Sequence, residues 1–131
     1  MILLDTNICI YAINRRSPGT LAPLRAFQAG DVGISAVTYA ELRFGVENSA
    51  RSDSNLVALE RFLLPLEILA FDAEAARHCG RVRAILKRAG TPIGGNDLLI
   101  AAHALSVGAT LVTNNAREFN RVRGLHVEQW S

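Results

Sequence analysis

The sequence predicts a three-layer α/β/α fold around a mainly parallel sheet of four to five strands, and three observations carry that expectation. Short aliphatic runs alternate with stretches in which apolar residues recur at helical spacing, the pattern of a parallel sheet covered on both faces. The runs end on capping or turn residues, as Met1-Ile2-Leu3-Leu4 ends on Asp5-Thr6-Asn7. Half of the 131 residues are apolar and 20% are charged, enough to bury one core, so residues 1–131 read as a single domain.

The elements follow in order. The opening run is a buried strand that passes into a helix over Ile8 to Ile13, and Arg15-Arg16-Ser17-Pro18-Gly19 breaks that helix. Leu21, Leu24 and Phe27 suit a second short helix from Thr20, ended by Gly30. Asp31 to Ser35 is a brief strand. Thr38-Tyr39-Ala40-Glu41 matches a capping box and so predicts a helix that starts at Thr38. Leu56, Leu59, Phe62 and Leu63 predict another helix, stopped by Pro65, and Leu66 to Phe71 supplies a third strand.

Asp72 then caps the best helix of the chain. Ala75, Ala76, Cys79, Val82, Ile85 and Leu86 form its apolar stripe, and Gly90 ends it. A loop with two glycines leads to Asn96-Asp97, which opens an apolar helix running through Leu105. Thr110 to Thr113 is a fourth strand, Asn114 to Phe119 a turn or short helix, and Leu125 to Val127 a fifth strand.

Composition excludes several classes of function. No run approaches the roughly 20 apolar residues that span a bilayer, and the apolar start contains Asp5 with no basic region before it, so a cytoplasmic protein without membrane contact is expected. Cys9 and Cys79 lack metal-ligand spacing and read as free buried thiols. Net charge is only +2, but thirteen of the fourteen basic residues are arginines and eight of the fourteen lie from Arg77 onward. Arginine suits forked contacts with phosphate. Arg77, Arg81 and Arg88 recur at steps of four and seven along one helix, which could line an RNA path or form a solvated face.

Four acidic residues share a local context. Asp5 and Glu118 follow strands, Glu41 lies in the helix after the second strand, and Asp97 opens a helix. In an open parallel sheet, the carboxyl ends of the strands are where ligands sit. Taken singly, Asp5 and Asp97 serve as N-caps, Glu41 completes a capping box and Glu118 is solvated. Gathered at one edge, they would repel one another unless a divalent cation joined them, and hard oxygen ligands suit Mg²⁺ or Mn²⁺. Setting these four aside leaves fourteen basic residues against eight acidic. An acidic pit in a cationic surface suits cleavage of a phosphodiester.

Four blocks, in order, resemble the PIN-domain ribonucleases, and among them the VapC toxins of bacterial toxin-antitoxin modules. They are Leu4-Asp5-Thr6-Asn7, the run from Ile34 to Gly45, the run from Ile93 to Ala104, and Leu111 to Phe119. The resemblance implies a PIN fold, Mg²⁺- or Mn²⁺-dependent endoribonuclease activity, and metal and catalytic roles for Asp5, Glu41 and Asp97. It gives Thr6, Thr113 and Asn114 supporting roles. Many PIN domains carry an aspartate where this chain has Asn115, an amide that is a neutral ligand at best, so the fourth acidic role is either lost or moved to Glu118, the residue that the resemblance to a group of VapC toxins with the same Thr-Asn-Asn opening suggests. Arg77, Arg81, Arg88 and Arg117 are the candidate RNA contacts.

The reaction expected is hydrolysis, with water attacking phosphorus in line and leaving 5′-phosphate and 3′-hydroxyl ends. The resemblance favours structured RNA, the tRNA anticodon loop above all, a VapB-type antitoxin as partner, a homodimer, and promoter DNA met only through the antitoxin. The rival reading is a catalytically weak PIN-like module acting mainly in DNA-bound autoregulation. Nucleotide-binding folds lack support, since no G-x-G-x-x-G follows a strand and no P-loop is present. His103 reads as a hydrogen-bonded structural residue, and Tyr11, Phe27 and Phe44 as core or as the surface of a dimer or antitoxin groove.

Overall fold

In the computed structural model, which describes residues 1–14, 27–28 and 30–130, the short aliphatic runs become five parallel strands. They are β1 (Ile2–Leu4), β2 (Val32–Ser35), β3 (Glu67–Leu69), β4 (Thr110–Thr113) and β5 (Val127–Gln129), in the spatial order β3-β2-β1-β4-β5. Ile2 pairs in register with Val32 on one side and Thr110 on the other. The helices among the described residues are α1 (Thr6–Asn14), α2 (Ala36–Glu47), α3 (Ser52–Leu63), α4 (Ala73–Arg88), α5 (Gly95–Val107) and the single turn α6 (Ala116–Phe119).

Side-chain alternation along β1 sorts the helices into two layers. Ile2 and Leu4 face one core with Ile8 and Cys9 of α1, Leu42 and Val46 of α2, and Leu59 of α3. Leu3 faces the other, among Val82 and Leu86 of α4, Ile100, Ala101 and Ala104 of α5, and Phe119. The three-layer α/β/α architecture expected from the sequence is therefore present. No described helix is long and apolar enough to cross a membrane.

Several local expectations shift. The helix expected from Thr38 begins at Ala36, because Ser35 is its N-cap and its Oγ accepts from the Val37 N–H at 3.1 Å. Thr38 is thus inside the helix and fully buried, and the capping box is not formed. Asp97 is the third residue of α5, whose N-cap is Gly94, so it is no cap either. The last strand pairs through Val127–Gln129, two residues beyond the expected Leu125 to Val127, since Leu111 registers with Val127.

Asp72 does cap α4, its Oδ1 accepting from the Ala75 N–H at 3.0 Å, and Gly90 follows the helix at φ 72°. Of the expected α4 stripe, Ala75, Val82 and Leu86 are buried, Cys79 is half-buried, and Ala76 and Ile85 are exposed. Cys9 is a free buried thiol as expected, whereas Cys79 is free but only half-buried. The short helix expected between Thr20 and Gly30, and the break at Arg15–Gly19, fall largely or wholly outside the described residues.

Close approach fixes one glycine in the sheet. A Cβ on Gly33 of β2 would stand 2.7 Å from Leu69 Cδ1 and 2.8 Å from the Glu67 carbonyl oxygen of β3.

Candidate active site

The order of strands reverses direction between β1 and β4: the chain adds β2 and β3 on one side of β1, then β4 and β5 on the other. Helices leave β1 and β4 toward opposite faces at such a point and open a crevice above the carboxyl ends of the strands. Asp5 ends β1 in that crevice and Thr113 ends β4 beside it.

Asp5 is 3% exposed, and both of its oxygens are engaged. Oδ1 accepts from the Ile8 N–H at 2.8 Å, capping α1, and Oδ2 accepts from the Thr113 hydroxyl at 2.5 Å. Thr113 Oγ1 in turn accepts from the Asn115 N–H at 2.9 Å. Burial pushes the Asp5 carboxyl above its ordinary range, the bonds from Thr113 and Ile8 pull it back, and Glu41 pushes it up again. Asn115 enters this network through its backbone, and Asn114 stands half-buried between it and Thr113.

Glu41, in the second turn of α2, is held from two sides. The Thr6 hydroxyl donates to Oε1 at 2.6 Å, and the Asn96 side-chain amide donates to Oε2 at 2.9 Å. Thr6 Oγ1 also lies 3.3 Å from the Thr38 hydroxyl. Thr6 and Asn96 tie α1 and α5 to the same carboxylate of α2. Asn96 was not among the site residues expected from the sequence. Its position beside Asp97 was visible there, but the crossing to α2 depends on the fold.

Asp97 and Glu118 complete the group. Their carboxyls are close enough to share a proton, and Asp97 is pushed up to about 7 by burial first, then by Glu118, with Asp5 and Glu41 adding to the repulsion. Asp5, Glu41 and Glu118 thus all bear on Asp97 at a single edge of the sheet. Among the described residues, the ion pairs are Arg43 with Glu47 and Arg77 with Glu74, so none of the four has a cationic partner.

Among the described residues, no group of three or more His, Cys, Asp or Glu side chains stands close enough as placed to hold a metal ion. The donor set nevertheless fits a hard divalent cation. It is all oxygen, no ion pair among the described residues offsets its charge, and carboxylate oxygens that accept one hydrogen bond keep a further lone pair for a ligand.

The remaining candidates lie elsewhere. His103 is buried, its Nδ1 2.8 Å from Ser35 Oγ and its ring edge-on to Phe71, and burial holds its pKa down. Its structural role agrees with the sequence expectation. Arg77, Arg81, Arg88 and Arg117 are exposed. Tyr11, Phe27 and Phe44 are also exposed, Phe44 the most at 67%, so the core reading of these three does not hold.

Comparison with known proteins bears on this arrangement. The family model described as "PIN domain" matches residues 2–125. The chain is similar to a tRNA(fMet)-specific endonuclease VapC of Shigella flexneri, 45% identical over 129 residues that cover 98% of this chain and 97% of that protein. It is 43% identical to Ribonuclease VapC2 of Rickettsia felis, over 98% of this chain and 96% of the relative. Among solved structures, VapBC2 from Rickettsia felis bound to a DNA fragment from its promoter superposes with a TM-score of 0.95 at 41% identity, covering 100% of both chains.

Proposed function

The chain belongs to the PIN domain family, among the VapC ribonucleases, and on that footing we propose that it is a metal-dependent endoribonuclease toxin restrained by a VapB-type antitoxin. The observation that carries the proposal is the convergence of four acids that have no ion-pair partner among the described residues, with Asp97 pushed up to about 7 among Glu118, Asp5 and Glu41. Such a group is poised to exchange its shared proton for a cation.

In this reading residues 1–131 act as one PIN domain. Asp5, Glu41 and Asp97 hold Mg²⁺ or Mn²⁺, and Glu118 is the fourth acid of the site. When bound, the ion supplies charge neutralisation and an activated water at neutral pH. The protein's own part is to orient its ligands. Thr113 fixes the Asp5 carboxylate, and Thr6 and Asn96 fix Glu41, so that the acids meet RNA in a set geometry. Water attacks phosphorus in line, and the ends left are 5′-phosphate and 3′-hydroxyl.

A tRNA is the proposed substrate, cut in its anticodon loop. The similarity to the tRNA(fMet)-specific endonuclease of Shigella supports a tRNA, and a looped strand can be splayed over a compact pit as a duplex cannot. Arg77, Arg81, Arg88 and Arg117 are the exposed cations proposed to meet the RNA backbone. The antitoxin is proposed to cover the apolar groove lined by Ile10, Ile13, Leu42, Val46 and Leu59, which has Glu41 at its edge, and to bring the protein to promoter DNA as the Rickettsia complex does. A homodimer in the cytoplasm completes the reading.

The test is cleavage of purified tRNA by the isolated protein with Mn²⁺ or Mg²⁺, then with chelator added. Cutting that stops with chelator and leaves 5′-phosphates supports the proposal; no cutting under either metal sinks it. A single 2′-deoxy substitution at the cut should slow hydrolysis without abolishing it, because the 2′-hydroxyl is not the nucleophile.

A further inference from the structure

A cleft of about 580 Å³ lies between α4 and the start of α5, outside the acid group but beginning next to it. Asn96 lines the cleft while its amide holds Glu41, and Asp97 is the next residue. The walls are aliphatic, formed by Leu86, Ile93, Leu98 and Leu99. Arg83 and Lys87 line it too, one turn apart on α4 and so separated by about 6 Å along the helix axis. No acidic residue lines it. Acids thus gather in the pit, and the cleft that opens beside it carries only positive charge.

We propose that this cleft is the subsite for the nucleotide next to the scissile phosphate of a single-stranded RNA, with the base against the aliphatic walls and the flanking phosphates against Arg83 and Lys87. The proposal rests on the nuclease reading above and deepens it. The volume is of the size that encloses small ligands. Two cations along one helix can follow one backbone, and apolar walls take a base by its face without reading its edges. Base discrimination at this position is therefore weak, and recognition of the target falls to the shape of the RNA loop. Gly95 also lines the cleft, and a Cβ built there meets nothing within 4 Å, so the space beside it is open rather than filled by packing.

Cys79 gives a direct readout. It lines the cleft and is half-buried, whereas Cys9 is wholly buried with its thiol pushed up by burial and by Asp5, so iodoacetamide should label Cys79 alone. The experiment measures alkylation of Cys79 in the full chain, with chelator present, with and without a short single-stranded RNA that the protein cuts when Mn²⁺ is supplied. The RNA should slow alkylation severalfold. Arg83→Gln with Lys87→Gln should raise KM for cleavage about tenfold and make the salt dependence of binding shallower by about 1.4 in log–log slope, with the loss falling in KM rather than kcat. Gly95→Leu should fill the cleft, leave the thermal transition in place and abolish protection of Cys79. Unchanged alkylation under an RNA that the wild type cuts would overturn the subsite while the nuclease reading stood. A change from dimer to monomer in these variants without a change in KM would overturn it in favour of a second copy of the chain. Failure to cut any RNA sinks the nuclease reading itself, and is seen without reference to Cys79.

Discussion

Thr113 donates its hydroxyl to Asp5 Oδ2 at 2.5 Å across 108 residues of sequence, joining the ends of two adjacent parallel strands at the point where the sheet reverses its order. The bond keeps a buried carboxylate in one rotamer and offsets part of the cost of burying it.

Thr113→Val keeps the shape of the side chain and removes the donor. Activity should fall roughly 10–100-fold, as for other outer partners of a ligating group, and Mn²⁺ binding followed by calorimetry should weaken in parallel. A variant with wild-type metal affinity and rate would show that Asp5 needs no help from β4.

Glu41 depends on donors from α1 and α5. Asn96→Ala removes one of them from a half-buried carboxylate, and a loss of roughly 10–100-fold in cleavage is expected, with the circular dichroism spectrum unchanged. Asn96→Gln should not restore it fully, since the extra methylene carries the amide past the position from which Asn96 meets Oε2. Full activity in Asn96→Ala would reduce the bond to a feature of the metal-free protein.

The raised pKa of Asp97 makes a prediction about stability against pH. The folded value is about 7 against an ordinary 3.8, so the native state holds a proton that the unfolded chain releases in between. The resulting penalty is absent below about pH 4, grows as pH rises toward 7 and is complete above it. His103 acts in the opposite direction, because a lowered pKa destabilises the fold as pH falls through the ordinary histidine range. Comparison with Asp97→Asn separates the two. In chelator at pH 7.5 the variant should melt a few degrees above the wild type, and near pH 4 the difference should vanish. Solvent reaches Asp97, so a small shift is expected rather than the full linkage value. Equal melting at both pH values would remove carboxylate repulsion from the account.

Gly33→Ala tests the sheet rather than the chemistry. The new methyl would press on the Glu67 carbonyl, which is backbone and cannot swing away. A loss of about 1–3 kcal/mol is expected in denaturant unfolding. A neutral result would mean that β3, at the sheet edge, yields.

Much of this was legible in the sequence because local chemistry and global position coincide there. Asp5 both caps α1 and ends β1, and Asp72 caps α4 as its neighbours suggest. Thr38-x-x-Glu41 misled for the opposite reason: the spacing is that of a capping box, but Ser35 caps first, which frees Glu41 to bond Thr6 and Asn96 from other helices. Asp97 resembled a cap and is instead the third residue of α5, three positions past the N-cap Gly94. The bond from Asn96 to Glu41 spans 55 residues and has no local signature, so only the folded chain reveals it. Of the α4 stripe, Ile85 stays 49% exposed. Periodicity identifies a face without saying whether anything covers it.

The reversal of strand order has a temporal consequence. The four acids come from positions 5, 41, 97 and 118; the last of them follows β4, whose end carries the Thr113 hydroxyl that fixes Asp5, so the group is complete only when β4 has docked against β1. A chain still emerging from the ribosome has made β1, β2 and β3 long before it makes β4. On the proposed function, the newborn protein is harmless until β4 and Glu118 have been made, and an inhibitor must be at hand by then.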